Sequence, residues 1–173
     1  MLRQDHASKA ARGVLHQAGI SKPPIPIERL ARHLGIEVRR EPFEGDLSGM
    51  LFREGDRTII GVNSLHPRSR QRFTIAHEIG HLELHDREGI HLDRKFPIVR
   101  QRDGRSSLAV DPEEIEANGF AAELLMPASM LEDDIEGSDP FYEDDELSSW
   151  LADRYDVSLQ AMAIRLGNLG FQQ

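Results

Sequence analysis

The stretch Thr74-Ile75-Ala76-His77-Glu78-Ile79-Gly80-His81 constrains this chain more than any other, because it sets two histidines and an acid into an apolar run with helical periodicity. On an α-helix, residues four apart sit one above the other on the same face, about 6 Å apart along the axis. The imidazoles of His77 and His81 can therefore converge on one ion. Glu78 falls on the flank of that face, where a carboxylate can take a proton from an attacking water. Random placement of 8 His and 16 Glu among 173 residues predicts roughly 0.03 such patterns, which disfavours the alternative of a helix carrying solvent-facing His and Glu. Two ligands and a base still leave the site incomplete.

The chain has no Cys, so disulfides and thiolate ligands are excluded and a third ligand must be His, Asp or Glu. His85 continues the spacing, but it would lie about 12 Å from His77 along a straight helix, which assigns it to the outer surface or the outer shell. His91 follows in a segment without the Gly-containing spacing that turns a third histidine back onto the ion. A carboxylate from the next helix is the better source. That helix opens at Asp111-Pro112, an acidic N-cap with Pro at the first helical position, and runs to about Met126, ahead of Pro127. Ile115, Ala117, Phe120, Ala121, Leu124 and Leu125 are its expected buried face, and Glu113, Glu114, Glu116 and Glu123 are its available acids.

The remaining periodicities specify an α+β chain with a small, mostly antiparallel sheet packed on the metal-binding helix and flanked by other helices. A weak apolar stripe over 4–18 (Ala7, Ala10, Ala11, Val14, Leu15) and a second one (Ile27, Leu30, Ala31, Leu34) give N-terminal helices across 1–35. Strand-like runs at 36–40, 47–53 and 58–62, the last two joined by Glu54-Gly55-Asp56, place the sheet in 36–66. One of these strands is expected at the sheet edge beside the metal helix, where metallopeptidases commonly add substrate as an extra strand. Residues 67–127 hold the metal-binding helices and a long exposed loop over 86–110. Gly80, between the two histidines, predicts a close neighbour, expected to be the sheet. The acidic stretch 132–146 reads as solvated loop or short helical pieces. The end of the chain reads as helix, turn at Asp156-Val157-Ser158, and helix, within a C-terminal helical region over 128–173. At 173 residues and 39% hydrophobic, the whole is expected to form a single domain, 1–173.

A formal net charge of −9 argues against a broad phosphate-binding surface, so direct nucleic-acid binding is not expected; an acidic surface more often serves solubility alone, and encounter with a basic partner is the minority reading. The N-terminal residues lack a secretory pattern and no apolar run reaches membrane-span length, so no membrane association and a cytoplasmic location are expected.

The run from Thr74 to His81, together with Glu114-Ile115-Glu116-Ala117-Asn118-Gly119-Phe120-Ala121-Ala122-Glu123-Leu124-Leu125-Met126-Pro127, resembles the ImmA/IrrE family of metallopeptidases. The resemblance extends through the strand region, the Arg102-Asp103 loop and Val157-Ser158 to Arg165-Leu166, and so covers most of the chain. Zincins with a Glu ligand on a second helix place it three residues before an Ala followed by Asp or Asn. Here that pattern selects Glu114, ahead of Ala117 and Asn118. Asn118 shares the face of Glu114 and can orient a ligating His from behind. Glu116 is the second choice, and Glu113 and Glu123 are assigned to the surface.

The resemblance implies a zinc-dependent endopeptidase, with His77, His81 and Glu114 as ligands and Glu78 as general base. The same donor set also admits manganese or iron. His91, Tyr142 and Tyr155 are candidates for stabilising the oxyanion. The implied substrate is a helix-turn-helix transcriptional repressor, cleaved to relieve repression of stress or mobile-element genes. The alternative is a binding module that sequesters a repressor or acts as the toxin partner of an antitoxin, a role that has no need of Glu78.

Overall fold

The computed structural model describes residues 2–85, 89–93, 111–138 and 144–171. In chain order the elements are α1 (Leu2–Gln17), α2 (Ile27–His33), β1 (Ile36–Glu41), β2 (Gly49–Glu54), β3 (Arg57–Asn63), α3 (Arg68–Leu84), β4 (Gly89–Asp93), α4 (Pro112–Leu125), α5 (Ala128–Glu136), α6 (Asp144–Tyr155) and α7 (Leu159–Leu169). The class is α+β. Among the described residues no helix is long and apolar enough to cross a membrane.

The sheet runs in the order β1-β3-β2-β4. β2 and β3 form the expected hairpin, turned at Gly55 with φ of 55°, a left-handed value that suits glycine. β4 pairs antiparallel with β2, placing His91 opposite Leu51. β1 pairs parallel with β3 because the hairpin puts β2 on the far side of β3, and the chain leaving β1 reverses before it enters β2. Two of the three ladders are therefore antiparallel. Ile60 and Val62 of the central strand and Leu51 beside them are buried.

α3 lies in the middle of the molecule. From Thr74 to His81 every residue is buried, so this helix is covered all round instead of on one stripe. The sheet covers one side through β2 and β3, and α4, α2 and α1 pack on the others. Its entry is anchored by Arg72, whose guanidinium donates to the carbonyls of Ile25 and Asp156, each at 2.9 Å. These bonds tie α3 to the proline-rich segment before α2 and to the turn between α6 and α7.

Gly80 does not face the sheet, contrary to expectation. A Cβ there would stand 3.1 Å from Phe120 Cδ1 and 3.2 Å from both Cα and O of Ala117, so the close neighbour is α4. The sheet makes its own close approach with a glycine of the strand: a Cβ on Gly49 would overlap the Thr74 methyl and stand 3.2 Å from Glu78 Oε1.

α4 starts and stops where its signals lie. Asp111 caps it by accepting from the Glu113 N–H at 3.0 Å, and it ends before Pro127. Two of its residues differ from expectation. Ile115 is 42% exposed and not part of the buried face. Glu123 is 2% exposed and not at the surface. It sits between Arg12 of α1, at 3.1 Å, and Arg165 of α7, and two guanidiniums make burial of a carboxylate tolerable.

Of the acidic stretch 132–146, the described residues hold short helical pieces, one of the two forms expected, since α5 reaches Glu136 and α6 begins at Asp144, while 139–143 lie outside the described residues. In the segment expected to be an exposed loop, 89–93 is the strand β4, while the rest of 86–110, including Arg102-Asp103, lies outside the described residues. The strand escapes a pattern search because its alternation is inverted. Ile90 and Leu92 are 64% and 44% exposed, and the more shielded position between them is His91.

Candidate metal centre

α3 presents His77 and His81 one turn apart toward α4, and Gly80 allows α4 to come close enough for Glu114 to meet them. The two imidazole Nε2 atoms are 3.0 Å apart. The Glu114 carboxylate closes the third side, with Oε2 at 3.3 Å from His77 Nε2 and Oε1 at 3.2 Å from His81 Nε2. These ligand atoms all lie within 4.8 Å of one another, close enough to bind one metal ion. Both rings are fully buried and the carboxylate is 22% exposed, so the opening of the site is on the Glu114 side.

The protonation states suit a cation. Burial pushes the His81 imidazole down to about 4, so it is neutral at neutral pH. The contacts to His77, His81 and His91 hold the Glu114 carboxyl well below the usual carboxylate range. A neutral imidazole and an ionised carboxylate are the forms in which these groups ligate.

Glu78, next to His77 on α3, is fully buried, and its Oε1 faces the backbone of Gly49 at the start of β2. This places a carboxylate between the ligand face of α3 and the sheet. Behind His77, Nδ1 donates to Asn118 Oδ1 at 3.0 Å, one turn beyond Glu114 on α4. That bond leaves the Nε2 lone pair of His77 directed at the site.

The other acids and donors fall into place around this group. Glu116, second choice as a ligand, instead meets His85 Nε2 at 3.0 Å. His85 is in the outer shell, its Nδ1 at 3.2 Å from His81 Nδ1. This contact was foreshadowed by His85 lying four residues after His81, but the role of Glu116 had no signal in the spacing. His91 reaches the site from β4, with Nε2 3.4 Å from Glu114 Oε1 and its ring centroid 4.5 Å from that of His81. Tyr155 does not serve there: its hydroxyl donates to Asp134 Oδ2 at 2.8 Å and its side chain is buried between helices. Tyr142 lies outside the described residues.

A small mixed sheet laid on a helix with two histidines and an acid, met by a carboxylate from a second helix, is the arrangement of the zincin-like class. The sequence model of the Peptidase M78 family, described as IrrE N-terminal-like domain, matches residues 31–167. The chain belongs to that family. It is also 31% identical over 98 residues to "Uncharacterized immunity region protein 2" of Bacillus phage phi105, a match taking in 57% of this chain and 56% of that protein. The chain thus spans just over half the length of that relative.

Proposed function

We propose that this protein is a zinc-dependent endopeptidase that cleaves a helix-turn-helix transcriptional repressor in the cytoplasm. The observation that carries the reading is the convergence of His77 Nε2, His81 Nε2 and the Glu114 carboxylate on one point, with Glu78 adjacent on the same helix. His77, His81 and Glu114 would hold the ion, and their two-nitrogen, one-carboxylate set suits zinc. When bound, zinc lowers the pKa of a water and polarises the scissile carbonyl.

Glu78 accepts the proton of the attacking water and delivers it to the leaving amine as the peptide bond breaks. Asn118 keeps the His77 ring turned toward the site. His91, at the exposed side of Glu114, donates a hydrogen bond to the oxygen that gains charge. β4 carries His91 and, among the described residues, is one of the two sheet edges, so an extended substrate adds along it.

The repressor assignment draws on the family and on the immunity-region relative, and the formal net charge of −9 favours encounter with a basic, DNA-binding substrate. The test incubates a helix-turn-helix repressor, sought first in the reading frames beside this gene, with wild-type protein and with Glu78→Gln, resolving fragments by mass spectrometry. Fragments from wild type and none from Glu78→Gln are expected. Equal release of repressor from DNA by both proteins with no fragment would overturn the protease reading in favour of sequestration.

A further inference from the structure

Three contacts run in line from α4 to the ligand side of His81. Glu116 Oε2 lies 3.0 Å from His85 Nε2, His85 Nδ1 lies 3.2 Å from His81 Nδ1, and His81 Nε2 stands 3.2 Å from Glu114 Oε1 at the metal centre. His85 can make this connection because it is the C-cap of α3. Its backbone turns extended, at φ −129° and ψ 121°, while its N–H still donates to the His81 carbonyl at 3.0 Å. The ring is thereby held against the back of the His81 ring and away from the ion.

In the order that leaves His81 Nε2 free for an ion, every contact along this line has one donor and one acceptor. An ionised carboxylate accepts and cannot donate, so the proton between Glu116 and His85 belongs to His85 Nε2. A neutral imidazole protonated at Nε2 has a bare Nδ1. His85 Nδ1 therefore accepts, and the proton between the two rings belongs to His81 Nδ1. That leaves the His81 Nε2 lone pair bare toward the metal centre. We infer that Glu116 and His85 are positioning residues that hold His81 in its metal-binding tautomer.

The two ligating histidines are thus oriented by different means. His77 bonds a neutral amide, Asn118. His81 bonds a second imidazole backed by a carboxylate, which adds electron density to the ligand as well as direction. The side chains of His85 and Glu116 are 8% and 15% exposed, so little solvent reaches the line to offer a competing donor. A glutamine at 116 could present its NH₂ to His85, which permits the reverse order and places a proton on His81 Nε2, where it blocks the metal.

This inference rests on the metal-centre reading, and the test separates the two. Zinc affinity of the full chain is measured by competition with a chromophoric chelator for wild type, Glu116→Gln and His85→Phe. The cobalt-loaded proteins are compared by visible absorption. About 10- to 100-fold weaker zinc binding is expected for His85→Phe, with a smaller loss for Glu116→Gln and shifted cobalt bands in both. Wild-type affinity and an unchanged cobalt spectrum in both variants would overturn the relay alone. A wild-type protein that binds no zinc would overturn the metal-centre reading and the relay with it. A second measurement needs no variant: long-range ¹⁵N–¹H spectra of the zinc-loaded wild type should show His85 protonated at Nε2 and bare at Nδ1. The opposite tautomer would overturn the assigned order.

Discussion

Gly80 lies against the backbone of Ala117, where a Cβ would stand 3.2 Å from both the Cα and the carbonyl oxygen of that residue. The contact joins the helix of the two histidines to the helix of the carboxylate. Alanine at 80 would gain about 1 kcal/mol of helix propensity, but it would press on backbone and on Phe120, and such overpacking costs about 1–3 kcal/mol. Gly80→Ala should therefore lower the thermal midpoint and weaken zinc binding together, because α4 must move away from α3. Unchanged zinc affinity would mean that the spacing of the two helices does not set the site.

On the opposite side of α3, Gly49 allows β2 to lie against Thr74 and Glu78. Gly49→Ala should destabilise the protein by about 1–3 kcal/mol in denaturant titration, through overlap with the Thr74 methyl. Thr74→Ser removes that methyl and retains the hydroxyl that donates to the Arg70 carbonyl at 3.0 Å. In the double variant most of the loss should be recovered. An additive result would show that the strain lies elsewhere.

Asn118 accepts from His77 Nδ1 at 3.0 Å, so its removal frees the ring of a proposed ligand. Asn118→Ala should weaken zinc binding roughly 10-fold, whereas Asn118→Asp, which keeps the accepting oxygen, should stay near wild type. Equal losses in both variants, read by chelator competition, would assign the effect to packing.

Glu123 and Arg165 form a buried pair, 2% and 9% exposed as residues, and Arg165 Nε also donates to the Met126 carbonyl at 3.0 Å. Glu123→Ala leaves that guanidinium without its buried carboxylate and should cost about 3–5 kcal/mol of stability. Thermal unfolding of the zinc-free protein reads this directly. A loss below about 1 kcal/mol would show that Arg165 finds solvent.

The helices around the site were legible because their signals are local. His77 and His81 share a face by spacing alone, and the Asp111-Pro112 start and Pro127 stop delimit α4 without reference to anything distant. What escaped depends on neighbours brought in from far along the chain. Glu123 looks like a surface acid until Arg12 and Arg165 arrive on either side. Gly80 signals a close contact but not whether sheet or helix makes it. β4 hides its strand pattern because its inward residue is a histidine and its apolar residues face out. The line through His85 to Glu116 crosses from a helix end to another helix, and no spacing rule connects those two positions.

The most direct measurement of the central claim is zinc per chain, by elemental analysis after dialysis, for wild type, Glu78→Gln and Glu114→Ala. The account predicts one zinc per chain in wild type and in Glu78→Gln, since the base is not a ligand, and a large loss in Glu114→Ala. Full zinc retention in Glu114→Ala would contradict the ligand set and pass the third position to Glu116 or His91. Absence of zinc from the wild type would contradict the metal centre itself.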